Sequence, residues 1–94
     1  MERGSEGMLH EIKILKHYAE RIVSGEKDFE VRFNDRDYQK GDIIRFNVIT
    51  QKDGLRISDY DPLIREIKYI HTGLGMEKGY VILGLAGENK NERE

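Results

Sequence analysis

Lys27, Glu30 and Arg32 stand close together in the stretch Gly25-Glu26-Lys27-Asp28-Phe29-Glu30-Val31-Arg32. Residues two apart on a β-strand share a face, so Glu30 and Arg32 project side by side if this stretch is extended. Lys27 sits at the turn before them, where its long side chain can swing over the same face. An ammonium, a carboxylate and a guanidinium supply a point-charge donor, two acceptor oxygens and a planar fork of donors. Gathered beside a helix terminus, they make a pocket floor able to read a small, polar, planar ligand. The same residues also suit a plainer role, a solvated charged face on an edge strand.

Other constellations carry less. Gly73, Gly75 and Gly79 do not have the spacing of a dinucleotide-binding loop and open no helix. Asp35, Asp37 and Asp42 with Gly41 resemble a calcium loop only faintly, because the sixth position from Asp35 is Lys40 and not glycine. His10, His17 and His71 contain no pair at i, i+4 and read as structural or surface histidines. With no cysteine in the chain, a disulfide scaffold, a thiolate nucleophile and a sulfur-bound zinc are excluded. No metal and no cofactor are expected.

The elements that position the charged stretch follow from patterning. His10, Ile12 and Ile14 alternate with Glu11 and Lys13, a strand with Ile12 and Ile14 inward. From about Lys16 the period becomes helical, with Leu15, Tyr18, Ala19 and Ile22 on the apolar side, and Gly25 is placed to stop the helix in a left-handed cap. Asp28 to Phe33 alternates, setting Phe29, Val31 and Phe33 on one face and Asp28, Glu30 and Arg32 on the other. Turn formers occupy Asn34 to Asp37 and Lys40 to Asp42. Ile43 to Thr50 reads as a central strand, Asp53-Gly54 as a hairpin turn with Leu55 and Ile57 continuing weakly beyond it, and Pro62 as a strand entry. Leu63 to His71 alternates, with Ile64 and Ile70 opposite Leu63, Ile67 and Tyr69. A glycine loop follows, then a last strand from Tyr80 to Ala86.

The chain has 94 residues and 11.0 kDa, enough for one domain. A flexible segment 1–7, a folded domain 8–87 and a polar tail 88–94 are expected. The fold class is mixed α+β, mainly β: a small, strongly bent sheet or barrel of five to six strands with one or two short helices. Basic residues number 16 and acidic residues 18, a net charge of -2 without a basic arm. Binding to duplex DNA by counterion release is therefore disfavoured, while a small basic pocket stays open. No apolar run approaches the roughly 20 residues of a membrane span, and no apolar segment opens the chain, so a cytoplasmic protein without a membrane partner is expected.

The form Gly25-x-Lys27-x-x-Glu30-x-Arg32, set between a short helix and a strand, resembles the G-x-K-x-x-E-x-R signature of the ASCH domain family, part of the PUA-like superfamily of RNA-associated β-barrels. Asn34-Asp35-Arg36-Asp37-Tyr38, Gly41-Asp42 and Gly79-Tyr80-Val81-Ile82-Leu83 look like a small bacterial and phage subgroup of unknown function. The resemblance spans Met8 to Leu85. It implies a PUA-like barrel with a cleft between helix and barrel, lined by Gly25, Lys27, Glu30 and Arg32. Members are thought to bind RNA or nucleotides. Some bacterial members are amidohydrolases that remove the acetyl group from N4-acetylcytidine. Those enzymes keep the signature lysine, carry a threonine where Glu30 stands and use a further glutamate, for which Glu66 and Glu77 are the candidates here.

Three functions follow. In the first, the cleft holds a nucleotide or a single-stranded RNA segment. Glu30 accepts from an exocyclic amine, Lys27 and Arg32 meet phosphate or carbonyl oxygens, and Tyr38 stacks on the base. Stacking contributes about 1–3 kcal/mol per base, which suits micromolar affinity. In the second, the domain is a small amidohydrolase, with Lys27 as general base, Glu30 orienting water and Arg32 stabilising the oxyanion. In the third, it is a protein-interaction domain whose charged strand keeps an edge soluble. Arg36, Asp37 and His71 are placed around the site rather than in it.

Overall fold

The structure is a computed structural model and describes residues 7–50 and 60–87. The Asp53-Gly54 turn, Leu55, Ile57, residues 1–6 and the tail 88–94 lie outside the described residues. Within them the chain runs β1 (Leu9–Leu15), α1 (Lys16–Ser24), β2 (Phe29–Phe33), β3 (Ile43–Ile49), β4 (Leu63–His71) and β5 (Tyr80–Leu85). The described strands form one bent sheet in the order β1-β3-β4-β5-β2, a mainly-β half-barrel with β1 and β2 at its two ends. No helix among the described residues is long and apolar enough to cross a membrane.

Alternation on β1 buries His10, Ile12 and Ile14, and the strand pairs in parallel with β3, Ile12 opposite Phe46 and Ile14 opposite Val48. Parallel neighbours need a crossover, and α1 begins it. Ala19 and Ile22 are the residues α1 buries. Gly25 ends the helix at φ 87°, its N–H donating to the Ile22 carbonyl, and the Lys27 N–H then returns to the Arg21 carbonyl. Tyr18 departs from its expected inward place and is exposed. Its ring stands instead over the Lys27 ammonium, 5.5 Å from the centroid.

The core is filled by Ile44, Phe46 and Val48 of β3, Ile67 of β4, and Leu83 and Leu85 of β5. β3 lies between β1 and β4, the inner position its apolar composition predicts. β4 departs from simple alternation. Its register against β5 shifts between Ile67 and Tyr69, and the extra residue of a bulge reverses which side chains face in. Ile70 consequently packs against the core and Tyr69 faces out, the opposite of the unbroken pattern.

A polar knot ties the loop before β3 to β1. Asp42 is fully buried and accepts hydrogen bonds from the Met8 and Gln39 N–H groups, each at 3.0 Å. His10 Nε2 lies 2.7 Å from its Oδ2, and the Tyr38 ring packs on His10 at 4.8 Å between centroids.

Candidate functional site

β2 alternates as expected, but the charged face is the inner one. Glu30 is 8% exposed, whereas Phe29, Val31 and Phe33 are 42%, 47% and 54% exposed. Two backbone hydrogen bonds, Leu85 N–H to the Asp28 carbonyl and Asn34 N–H to the Gly79 carbonyl, bracket the pairing with β5. The register sets Glu30 opposite Leu83 and Arg32 opposite Val81, both of which point into the core. Residues directly opposite share a face, so Glu30 and Arg32 are carried inward with them. The plainer reading of a solvated charged face is thereby overturned.

Burial is tolerable because the charges compensate one another. Lys27 Nζ lies 2.5 Å from Glu30 Oε1, and Arg32 Nε lies 3.2 Å from Glu30 Oε2. Lys27 also donates to the Phe29 carbonyl at 2.6 Å, and its ammonium sits 5.0 Å from the Phe29 ring centroid. Arg32 donates through Nη2 to the Lys13 carbonyl on β1. Each oxygen of Glu30 thus holds one cation, and one of those cations reaches across to the far edge of the sheet.

The two cations open on different clefts. Arg32 lines a cleft of about 390 Å³ between β1 and the loop after β2, with Glu11, Lys13, Arg36, Tyr38 and Asn47 among its walls. Lys27 lines a smaller one of about 240 Å³ at the end of α1, beside Gly25, Asp28, Arg65 and Leu85. Glu30 lies behind both and sets the spacing of the two cations.

Of the residues expected to line one cleft, Lys27, Glu30 and Arg32 are joined by ion pairs, but the expected cleft is divided: Gly25 and Lys27 line the smaller one, Arg32 lines the larger, and Glu30 lines neither. Tyr38 reaches the larger cleft but is only 3% exposed, with its ring packed on His10. It forms cleft wall, and the expected stacking role is corrected because too little of the ring is open to a base. Burial pushes its phenol above the ordinary value, with the Arg32 and Arg36 guanidinium groups partly opposing the rise. Glu66 and Glu77 are exposed and line neither cleft. His71 lies on the outer face with Nε2 2.8 Å from the Leu74 carbonyl oxygen. Asp37 accepts from the Gln39 side chain and fixes the loop.

Glu11, Lys13 and Asn47 were missed by the sequence reading. Glu11 and Lys13 look like the wet side of an ordinary strand, which they are. They line the larger cleft together with Arg32, which reaches the Lys13 carbonyl from β2.

Residues 9–85 match the family model described as a domain of unknown function, DUF3850. The chain belongs to this family. The match runs from the first residue of β1 to the last of β5. The family unit is therefore the half-barrel with its helix, and the Lys27–Glu30–Arg32 row lies wholly inside it. No curated protein matches the sequence.

Proposed function

We propose that this domain binds a nucleotide, free or within single-stranded RNA, in the cleft between β1 and the loop after β2. The observation that carries the reading is the inward row in which Glu30 pins Lys27 and Arg32, with Arg32 presented to the larger cleft. That cleft falls within the roughly 300–1,000 Å³ of small-ligand sites. Lys13, Arg32 and Arg36 offer cationic donors to phosphate or carbonyl oxygens. The Asn47 amide accepts from Arg45 Nε and donates to Glu11, each at 3.4 Å, which leaves its second N–H and second lone pair for a base edge. Glu30 acts here as a positioning residue, since both its oxygens already hold cations. A near-neutral chain with a few local cations suits one or two phosphate contacts rather than a long groove. The resemblance to the ASCH family points the same way.

The test is fluorescence anisotropy of a labelled mixed-sequence single-stranded RNA, with the wild type and the exposed variant Arg36→Glu. Micromolar binding by the wild type, weakened about tenfold or more in the variant, supports the reading. Binding that the substitution leaves unchanged contradicts it. Incubation with N4-acetylcytidine in parallel reads out the hydrolase alternative, because release of acetate above a protein-free control would make the domain an enzyme. Lys27 argues against that outcome. Its nitrogen donates to the Phe29 carbonyl and to Glu30, and is engaged as a donor rather than as a base.

A further inference from the structure

Almost all of Tyr38 is buried, and what stays open is its polar tip. The hydroxyl makes no hydrogen bond to the described residues, yet no described buried side-chain nitrogen or oxygen lacks a partner. Its oxygen is therefore accessible, and the cavity Tyr38 lines is the larger cleft. The rest of the residue is clamped. Its ring packs on His10, which Asp42 holds at 2.7 Å, and its backbone N–H donates to Asn34 Oδ1 at 3.0 Å. Asp37, just before it, has φ 52°, the one positive value at a non-glycine among the described residues. Left-handed backbone outside glycine gathers where the surroundings fix a chain for a task. A buried ring held this firmly with an unpartnered hydroxyl calls for a ligand atom.

The charges acting on that hydroxyl are, in falling order, those of Arg32, Arg36, Asp35 and Glu30. Two guanidinium groups thus outweigh either carboxylate. Arg32 spends Nε on Glu30 and Nη2 on the Lys13 carbonyl, which leaves the donors of Nη1. Arg36 is exposed and makes no hydrogen bond or ion pair among the described residues. Of the carboxylates, Glu30 holds its two cations, and Glu11 is met by Arg45 at 3.6 Å and Asn47 at 3.4 Å. Asp35 is the opposing charge that remains. Phe33, the other aromatic at the cleft, turns its ring to the outer side of the sheet, edge to face with Tyr80 at 5.4 Å between centroids.

We propose that the Tyr38 hydroxyl, with the Arg32 and Arg36 guanidinium groups, forms a phosphate subsite in the larger cleft, the phenol O–H donating to a phosphate oxygen. The inference deepens the nucleotide reading and rests on it for the identity of the whole ligand. Two guanidinium groups and a protonated phenol present donors, and a phosphate presents acceptors with negative charge. A base edge mixes donors with acceptors and carries no charge to answer the cations. Burial raises the phenol above its ordinary value, so it keeps its proton at neutral pH and acts as a donor. The clamped ring fixes where the phosphate sits before the ligand arrives. Tyr38 therefore recognises the ligand through its oxygen and not through its ring.

An amide-resolved NMR titration of the full chain with inorganic phosphate, exchanged against chloride at constant ionic strength, reads the subsite without a base. In the wild type, shifts at Arg36 and Tyr38 should saturate in the millimolar range. In Tyr38→Phe the midpoint should rise about tenfold, the loss of one hydrogen bond to a charged group. The urea midpoint at neutral pH should stay unchanged, because the hydroxyl has no partner among the described residues. Labelled single-stranded RNA should lose a similar factor in Tyr38→Phe with its salt dependence kept, whereas Arg36→Glu should make that dependence shallower. A wild type without phosphate shifts at Arg36 and Tyr38 overturns the inference. So does a Tyr38→Phe variant that binds phosphate or RNA as tightly as the wild type, or that loses affinity only together with stability. RNA binding that Tyr38→Phe leaves intact would sink the subsite and spare the nucleotide reading. Phosphate binding as expected, with no RNA bound at all, would support the subsite and sink the nucleotide reading.

Discussion

Arg32 on β2 donates to the backbone carbonyl of Lys13 on β1, so one side chain joins the first and last strands of the described sheet. Its Nε is engaged with Glu30 at the same time. A half-barrel with this span across its mouth has a cleft of fixed width, and the cations lining it are held before any ligand arrives. Preorganisation of this kind lowers the ordering cost of binding.

Arg32→Lys tests that double engagement. A lysine carries the same charge on a compact head and cannot reach Glu30 and the Lys13 carbonyl with separate, fixed donors. Urea unfolding should show a loss of about 1–2 kcal/mol, towards the low end of the roughly 1.5–3 kcal/mol of a hydrogen bond to a charged group, because the Arg32 side chain is 28% exposed. An unchanged midpoint would mean that the span carries no load.

Glu30→Gln removes the one carboxylate that both cations share. A buried pair broken from one side costs about 3–5 kcal/mol. Lys27 and Arg32 keep some solvent access, with side chains 15% and 28% exposed, so about 2–3 kcal/mol is expected in the same measurement. Pairing the change with Lys27→Met should recover part of the loss, because one orphaned cation goes with it.

Two glycines separate conformation from contact. Gly25 and Gly79 both have φ 87°, a region that side chains enter at a cost. Nothing lies within 4 Å of a side-chain carbon added at Gly25, whereas one added at Gly79 would meet the Phe33 ring at 2.6 Å. Gly25→Ala should therefore cost about 1 kcal/mol. Gly79→Ala should cost about 2 kcal/mol, since Phe33 must also swing away from Tyr80. Equal losses in thermal or urea unfolding would contradict this ordering.

Tyr38 predicts a dependence on alkaline pH. Its phenol is raised above 10.0 chiefly by burial, so the folded state keeps the proton where the unfolded state releases it. The contribution is fully present below pH 10 and is lost as the pH climbs from there through the folded value. In a phenolate absorbance titration, one of the five tyrosines should ionise later than the rest. Tyr38→Phe should remove that late phase and flatten the fall in stability above pH 10.

Much of this was legible in the residues. The periods of β1 and α1, the cap at Gly25 and the inner place of β3 follow from local pattern, because each is decided by neighbours a few positions away. The nearness of Lys27, Glu30 and Arg32 was also legible, but not that the two cations open on separate clefts. Which face of β2 turns inward was not legible, since alternation defines two faces without saying which meets the core. Hydrophobicity alone would have buried Phe29, Val31 and Phe33. The pairing with β5, more than forty positions later in the chain, decides otherwise, and the ion pairs to Lys27 and Arg32 make the burial of Glu30 tolerable. The bulge in β4 was hidden for a similar reason, as nothing in Ile67-Lys68-Tyr69 marks the extra residue. Tyr38 looked like a free aromatic after a turn because its contact, His10, lies on another strand.

The most direct test of the central claim is an amide-resolved NMR titration of the wild type with single-stranded RNA. The account predicts shifts concentrated at Lys13, Asn47, Arg36 and the Lys27–Arg32 segment, with the outward positions Tyr69 and Ile82 still. Shifts confined to the outer face of β4 and β5, with Lys13, Arg36 and Asn47 unmoved, would contradict it.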